Sequence, residues 1–259
     1  MGMVGAPKRR VPFGLQRWLG LLALLLTSPW TAQAQGLLPT NIQTNGTVNT
    51  TLRKGSTQYV GGSFSELTYR LPNLAQVAAG TGSANQTFPT TNGTVNKVIP
   101  DGAGGFYVAG SFTQIGGLPK TNLAHILSNN AVDVSFDPAP NSTVEALTLS
   151  GTATSGTLYV GGQFSQINGI ARNYLAAVNA ASGTLVAAFN PASDGIVYSL
   201  TFSGSALYAG GRFNNIGGLS QSGIALLNPA TGAASRTAST ASSNYVYALA
   251  PDGTGGVYA

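Results

Sequence analysis

The sequence predicts an all-β chain, a β-propeller built from four-stranded blades of about fifty residues, and three observations lead there. One phrase is written four times, as YVGGSF from Tyr59, YVAGSF from Tyr107, YVGGQF from Tyr159 and YAGGRF from Tyr208, and a fifth copy begins at Tyr258. The tyrosines lie 48, 52, 49 and 50 residues apart, a spacing in the range of propeller blades. Each unit carries short runs rich in aromatic and β-branched residues, bounded by Gly, Ser and Asn clusters. No connecting stretch has an amphipathic helical period, which excludes βαβ architectures. The expected organisation is a leader over residues 1–34, a short linker over 35–44, and a repeat domain over 45–259 with four repeats and a truncated fifth. The domain reads as an open fragment of a larger propeller, with further C-terminal blades or domains expected.

The leader comes first in the chain. Lys8, Arg9, Arg10 and Arg17 form a basic region, Trp18 to Leu26 an apolar run, and Ala32-Gln33-Ala34 a small-x-small cleavage site. That run is far shorter than the roughly 20 residues a membrane-spanning helix needs. It is therefore read as a signal peptide, and the mature chain as secreted or displayed at the cell surface with no transmembrane segment. A twin-arginine signal at Arg9-Arg10 is the lesser alternative. Four of the twelve basic residues leave with the leader while all seven acids stay, so the mature chain carries a net charge of only +1. Without a basic patch, nucleic acid is not an expected partner. Cysteine is absent, so stability must come from burial and hydrogen bonding. Charged residues make up 7% of the chain; the regular apolar positions nevertheless argue against disorder.

The unit from Tyr159 is the clearest. Leu158–Ile167, Tyr174–Asn179, Thr184–Phe189 and Val197–Phe202 read as strands, the middle pair joined by Ala-Ala-Ser-Gly. The double glycines Gly61-Gly62, Gly161-Gly162 and Gly210-Gly211 sit inside strands, where glycine normally weakens pairing. They are expected where the backbone is crowded, as near a propeller axis. In the second unit the pair becomes Ala109-Gly110, so only Gly62, Gly110, Gly162 and Gly211 are expected to tolerate no methyl group. Phe64, Phe112, Phe164 and Phe213 follow two residues later, then Leu67, Ile115, Ile167 and Ile216. These are expected to form the blade-to-blade core, each contributing roughly 1.5–3 kcal/mol when fully buried. Asn168-Gly169, Gly116-Gly117 and Gly217-Gly218 suit tight reversals. Phe136-Asp137-Pro138 and Phe189-Asn190-Pro191 are expected to end the fourth strand, and Pro100-Asp101-Gly102 and Pro251-Asp252-Gly253 to turn between the first two.

The stretch LYVGGQFSQINGIARNYLAAVNAASGTLVAAFNP, Leu158 to Pro191, resembles the delta-60 repeat of exported bacterial propeller proteins. The shared features are G-G-x-F-x-x-I-x-G, then R-N-x-[LI]-A-x-[LV]-N, then a close in F-[DN]-P. The likeness runs from about Asn45 to Ala259 and is looser in the first unit, where Thr68-Tyr69 replaces the Asn-Gly turn and Phe88-Pro89 lacks the acid or amide. The resemblance implies a propeller on an exported or surface protein and brings no catalytic residues with it. Kelch propellers are the second resemblance, but they place a Trp after the glycines, whereas Trp18 and Trp30 both lie in the leader.

Little chemistry is expected. His125 is the only histidine, and Gln76, Ala177 and Leu226 take its place in the other units, so it reads as structural. Zinc and transition-metal sites lack their usual ligands, and no cofactor is expected. Calcium at the Asp101 and Asp252 turns is a minor alternative, because ligand-dense loop spacing is missing. The acids mostly sit at turns, and Asp137 becomes Asn190 in the next unit, which an acid catalyst could not tolerate. Lys120, Arg172 and Gln221 recur before the third strand, with Leu71 beside Arg70 in the first unit. They read either as blade-edge residues reaching carbonyls or as a polar face that meets an anionic or glycan partner. The function expected is a non-enzymatic exported binding or scaffolding module whose partner is a glycan or a surface protein. The alternative is a propeller hydrolase or lyase acting on extracellular polysaccharide, which needs two carboxylates facing one another.

Overall fold

A computed structural model describes residues 44–67, 72–79, 81–235 and 245–259. The leader, the linker before Thr44, and Thr68, Tyr69, Arg70 and Leu71 lie outside the described residues.

The described chain is all-β, without helices, in small antiparallel sheets that follow one another along the sequence. The first sheet is β1 (Thr47–Lys54), β2 (Thr57–Ser63) and β3 (Leu74–Ala78). The second is β4 (Thr94–Pro100), β5 (Phe106–Ser111) and, after a hairpin of β6 (Gln114–Ile115) and β7 (Leu118–Pro119), β8 (Leu123–Ile126). The third repeats this as β9 (Val144–Ser150), β10 (Thr157–Gly162), the hairpin β11 (Gln166–Ile167) and β12 (Ile170–Ala171), and β13 (Leu175–Asn179). The fourth comprises β14 (Ile196–Ser203), β15 (Ala206–Arg212), the hairpin β16 (Asn215–Ile216) and β17 (Leu219–Ser220), β18 (Ile224–Leu227) and β19 (Ala234–Ser235). A last pair, β20 (Ala250–Pro251) and β21 (Val257–Tyr258), closes the described chain.

The expected four-stranded blade needs correction. Only the fourth sheet has a fourth strand, β19; in the others it shrinks to single bridges, Val77 to Ala84, Ile126 to Val132 and Val178 to Leu185. Thr184–Phe189 is thus no strand. Nor is Leu158–Ile167 one strand: it breaks after Gly162, and Gln166–Ile167 turns into its own hairpin. The reversal there is tight because Asn168 (φ 52°) and Gly169 (φ 75°) both take the left-handed conformation, as a two-residue I′ hairpin turn requires.

First strands pack on first strands from sheet to sheet, β1 on β4, β4 on β9, β9 on β14 and β14 on β20. The core therefore lies between sheets. Tyr59 and Leu74 of the first sheet share a cluster with Val95, Phe106 and Phe112 of the second; Tyr107 and Leu123 share one with Val144, Leu158 and Phe164; Tyr159 and Leu175 share one with Val197, Leu207 and Phe213. Covered on both faces, the second strands read as continuous apolar runs. The recurrent Phe64, Phe112, Phe164 and Phe213 are all buried. Tyrosine hydroxyls reach across to the next sheet, Tyr107 to the Ala180 carbonyl at 2.7 Å and Tyr159 to the Pro229 carbonyl at 2.9 Å.

The two glycines of each pair answer to different neighbours. A Cβ on Gly61, Gly161 or Gly210 would come within 2.6–2.8 Å of a methyl of Val95, Val197 or Val246 in the next sheet. One on Gly62, Gly110, Gly162 or Gly211 would stand 2.0–2.3 Å from a backbone carbonyl of its own first strand. The crowding that excludes a methyl group is thus a bulge within the sheet and not the axis. At that bulge the register of the first strand skips one residue: Asn49, Asn96, Glu145 and Tyr198 in turn.

Candidate functional site

Lys120, Arg172 and Gln221 occupy equivalent places, and each turns its polar end onto its own blade. The buried Lys120 ammonium donates to the Phe136 carbonyl at 2.6 Å and the Val134 carbonyl at 3.2 Å, with Asp137 at 3.8 Å. Arg172 Nη2 donates to the Ala187 carbonyl at 2.8 Å, and Gln221 Nε2 to the Ser235 carbonyl at 2.6 Å. These side chains hold the outer segment of each sheet, a segment without a fourth strand for Lys120 and Arg172 and the short β19 for Gln221.

A different set of residues surrounds a cavity of about 590 Å³, lined by Tyr174, Asp194, Gly195, Ile196, Gly211, Arg212, Phe213, Asn214, Ser222, Gly223 and Tyr245. Its origin can be followed in the repeat. Just before the third strand every unit places a left-handed residue, Asn73 (φ 60°), Asn122 (φ 61°), Tyr174 (φ 61°) and Gly223 (φ 77°). Their backbones make identical bonds, each N–H to the carbonyl of the recurrent Phe and each carbonyl to the N–H of the second glycine. The side chains differ. Asn73 accepts from Phe64 N–H and donates across to the Thr91 carbonyl, and Asn122 does the same with Phe112 and Pro140. Tyr174 cannot make this clasp, and Gly223 has no side chain with which to make it. Both line the cavity, which opens where the repeat drops its clasp twice in succession. A tyrosine held left-handed also carries backbone strain of about 1–2 kcal/mol, which Asn bears more easily.

The cavity wall is aromatic and cationic. Arg212 stands where the other units have Ser63, Ser111 and Gln163, and its guanidinium lies 4.9 Å from the centre of the Tyr245 ring, within cation–π range. Tyr245 and Tyr247 are exposed, and Tyr247 lies 5.0 Å ring to ring from the bulge residue Tyr198. Burial first, then Tyr247 and Glu145, push the Tyr198 phenol up against the opposing pull of Arg212, so it stays protonated at neutral pH. The other bulge residues satisfy one another. Asn96 Nδ2 donates to Glu145 Oε2 at 2.9 Å, and Gln163 Nε2 donates to Glu145 Oε1 at 2.8 Å. Burial raises the Asp194 carboxyl, but the N–H groups of Asn215 and Asn214 and the Asn215 amide outweigh this and hold it below the ordinary carboxylate range.

His125 is engaged by two carboxylates. Nδ1 lies 2.9 Å from Asp133 and Nε2 3.1 Å from Asp101, and the ring stacks on Tyr107 at 4.5 Å. His125 and Asp101 are both buried, so the cluster ties strands together beneath the surface. The Asp101 carboxyl is raised by burial, yet the Ala103 N–H, His125 and the Gly105 N–H together bring it below the ordinary range. Asp133 follows the same pattern, with burial opposed by Ser135 and His125. At the two Asp-Gly turns one carboxylate oxygen is taken by backbone N–H groups, of Ala103 and Gly105 for Asp101 and of Thr254 and Gly256 for Asp252. Among the described residues no group of three or more His, Asp or Glu is placed to hold a metal ion, and no helix is long and apolar enough to cross a membrane.

Sequence reasoning missed both the cavity and the partners of His125. The signal for the cavity was present as departures from the repeat at Tyr174, Arg212 and Gly223.

Residues 154–185 match a family described as "Domain of unknown function (DUF5122) beta-propeller". That segment covers β10 through β13 of the third sheet. No curated protein matches the chain.

Proposed function

We propose that this chain is a non-enzymatic β-propeller repeat module, of the delta-60 type, that is exported and binds a glycan outside the cell through the cavity beside Tyr174, Arg212 and Tyr245. The observation that carries this reading is the origin of the cavity. The scaffold is nearly the same in every unit; Tyr174 and Gly223 replace clasping asparagines, Tyr198 replaces a hydrogen-bonding Asn or Glu, and Arg212 stands where other units hold Ser or Gln. Side chains that no longer serve the fold are free to serve a ligand, and an aromatic, polar concavity of this size fits a small-molecule or oligosaccharide site. The four sheets are taken as propeller blades, each with a reduced outer strand. Export rests on the basic region, apolar run and cleavage site before Gln35.

The rival reading, a polysaccharide hydrolase or lyase, requires two carboxylates across the scissile bond. Among the described residues of the cavity lining Asp194 is the only carboxylate, and its oxygens accept from Asn214 and Asn215. The test is a glycan array probed with the purified protein, run beside assays for new reducing ends or unsaturated products. The proposal expects retained glycans without turnover. Product formation would favour the enzyme, and an array without binding would remove the glycan.

A further inference from the structure

Resting on the cavity being a glycan site, we propose that its ligand is an acidic oligosaccharide, a sugar chain carrying uronic-acid carboxylates, with Arg212 as the carboxylate's partner and Tyr245 and Tyr174 as ring-facing walls. Arg53, Lys54, Lys120 and Arg172 each donate to a backbone carbonyl. Arg212 makes no hydrogen bond and no ion pair among the described residues; its contact is the Tyr245 ring. A cation resting on a ring face is positioned without consuming its N–H donors, and the guanidinium fork matches a carboxylate with two parallel bonds.

Two acids stand nearby, and both have their acceptor oxygens engaged by neutral donors. The Asp194 oxygens accept from two backbone N–H groups and an amide, and both Glu145 oxygens accept from amides. Among the described residues of the lining, Arg212 is the cation, and its guanidinium donors are left without an acceptor while the Asp194 oxygens are engaged. Ser222 and Asn214 of the lining offer hydroxyl and amide partners for sugar hydroxyls. Tyrosine rings present flat apolar faces with a polar tip, which suits a pyranose ring. The volume of about 590 Å³ lies in the range of drug-sized ligand sites and is larger than an inorganic anion needs.

The test is calorimetric titration of the purified protein with oligogalacturonate, with its fully methyl-esterified counterpart, and with a neutral cello-oligosaccharide. The acid form is expected to bind at least tenfold more tightly than the ester, with affinity falling as salt rises. Arg212→Gln uses a residue the scaffold already holds at Gln163, so it is expected to fold with an unchanged melting temperature and to abolish the acid preference. Arg212→Lys retains part of the preference, and Tyr245→Ala weakens acid and ester alike. Equal binding of acid and ester, or an acid preference that survives Arg212→Gln, overturns the acidic ligand and leaves the glycan site standing. Binding of the neutral oligosaccharide alone does the same. Binding of none of the three, together with an empty glycan array, overturns both.

Discussion

A Cβ on Gly110 would stand 2.0 Å from the Thr94 carbonyl oxygen, whereas one on Gly161 would meet a Val197 methyl at 2.8 Å. Overpacking against backbone cannot be relieved by a rotamer, so Gly110→Ala is expected to cost about 3 kcal/mol and Gly161→Ala about 1 kcal/mol, as read by urea denaturation. Equal costs would contradict the bulge as the reason for the second glycine. That only the second glycine is obligatory was legible from Ala109; the carbonyl responsible was less so, because the bulge that supplies it shows only as apolar residues three apart, such as Val95 and Val98, in place of two. His125 shows the same division. The sequence identified it as one member of a series with Gln76 and Ala177, yet its partner Asp133 becomes visible only when the facing series is read as well. Gln76 pairs with Asn85 at 2.6 Å, His125 with Asp133 at 2.9 Å, and Ala177 receives the Val186 N–H on an apolar background. Asp101 and Asp133 titrate near ~3.9 in the unfolded chain and lower in the fold. Their stabilisation is therefore present above the unfolded value and lost as pH falls below about 4 through the folded values. Asp101→Asn is expected to cost about 3 kcal/mol at pH 7, the deficit narrowing toward pH 3 in urea denaturation. A deficit independent of pH would refute the ion cluster.

At the scale of the element, one polar side chain fastens the segment after each second strand to the start of its own sheet. Asn45, Asn92, Asn141 and Asp194 each accept two successive backbone N–H groups, those of Ser65 and Glu66, Thr113 and Gln114, Ser165 and Gln166, and Asn214 and Asn215. The acceptor oxygen does the work, so amide and carboxylate serve alike. Asp194→Asn is expected to leave the melting temperature nearly unchanged, while Asn141→Ala orphans two donors and costs about 1–2 kcal/mol. A large loss in Asp194→Asn would show that the charge has a role the repeat does not require. The hairpin turns were legible from Asn168-Gly169 and its counterparts because positive φ selects residue type directly. The outer strand was misread because Leu185, Val186 and Phe189 look like a strand but serve the core between sheets. There Lys120 and Arg172 hold carbonyls of a segment that forms no fourth strand, and Gln221 holds the Ser235 carbonyl of the short β19.

The whole molecule is a succession of sheets whose cores lie between neighbours, so each sheet is stabilised only in company. That order was legible because the sequence repeats at blade spacing and its aromatic positions stay in register. The cavity was not, because it arises where the register is kept and the residues change, a signal that a search for similarity passes over. The central claim is that function sits at those departures. It predicts that returning them to the repeat, with Tyr174→Asn, Tyr198→Asn and Arg212→Ser, gives a protein at least as stable as the original, since the clasp returns and a strained tyrosine leaves. The most direct test is the oligogalacturonate binding isotherm of this reverted protein. The account predicts a folded protein with no measurable binding; a reverted protein that binds as tightly as the original would contradict it.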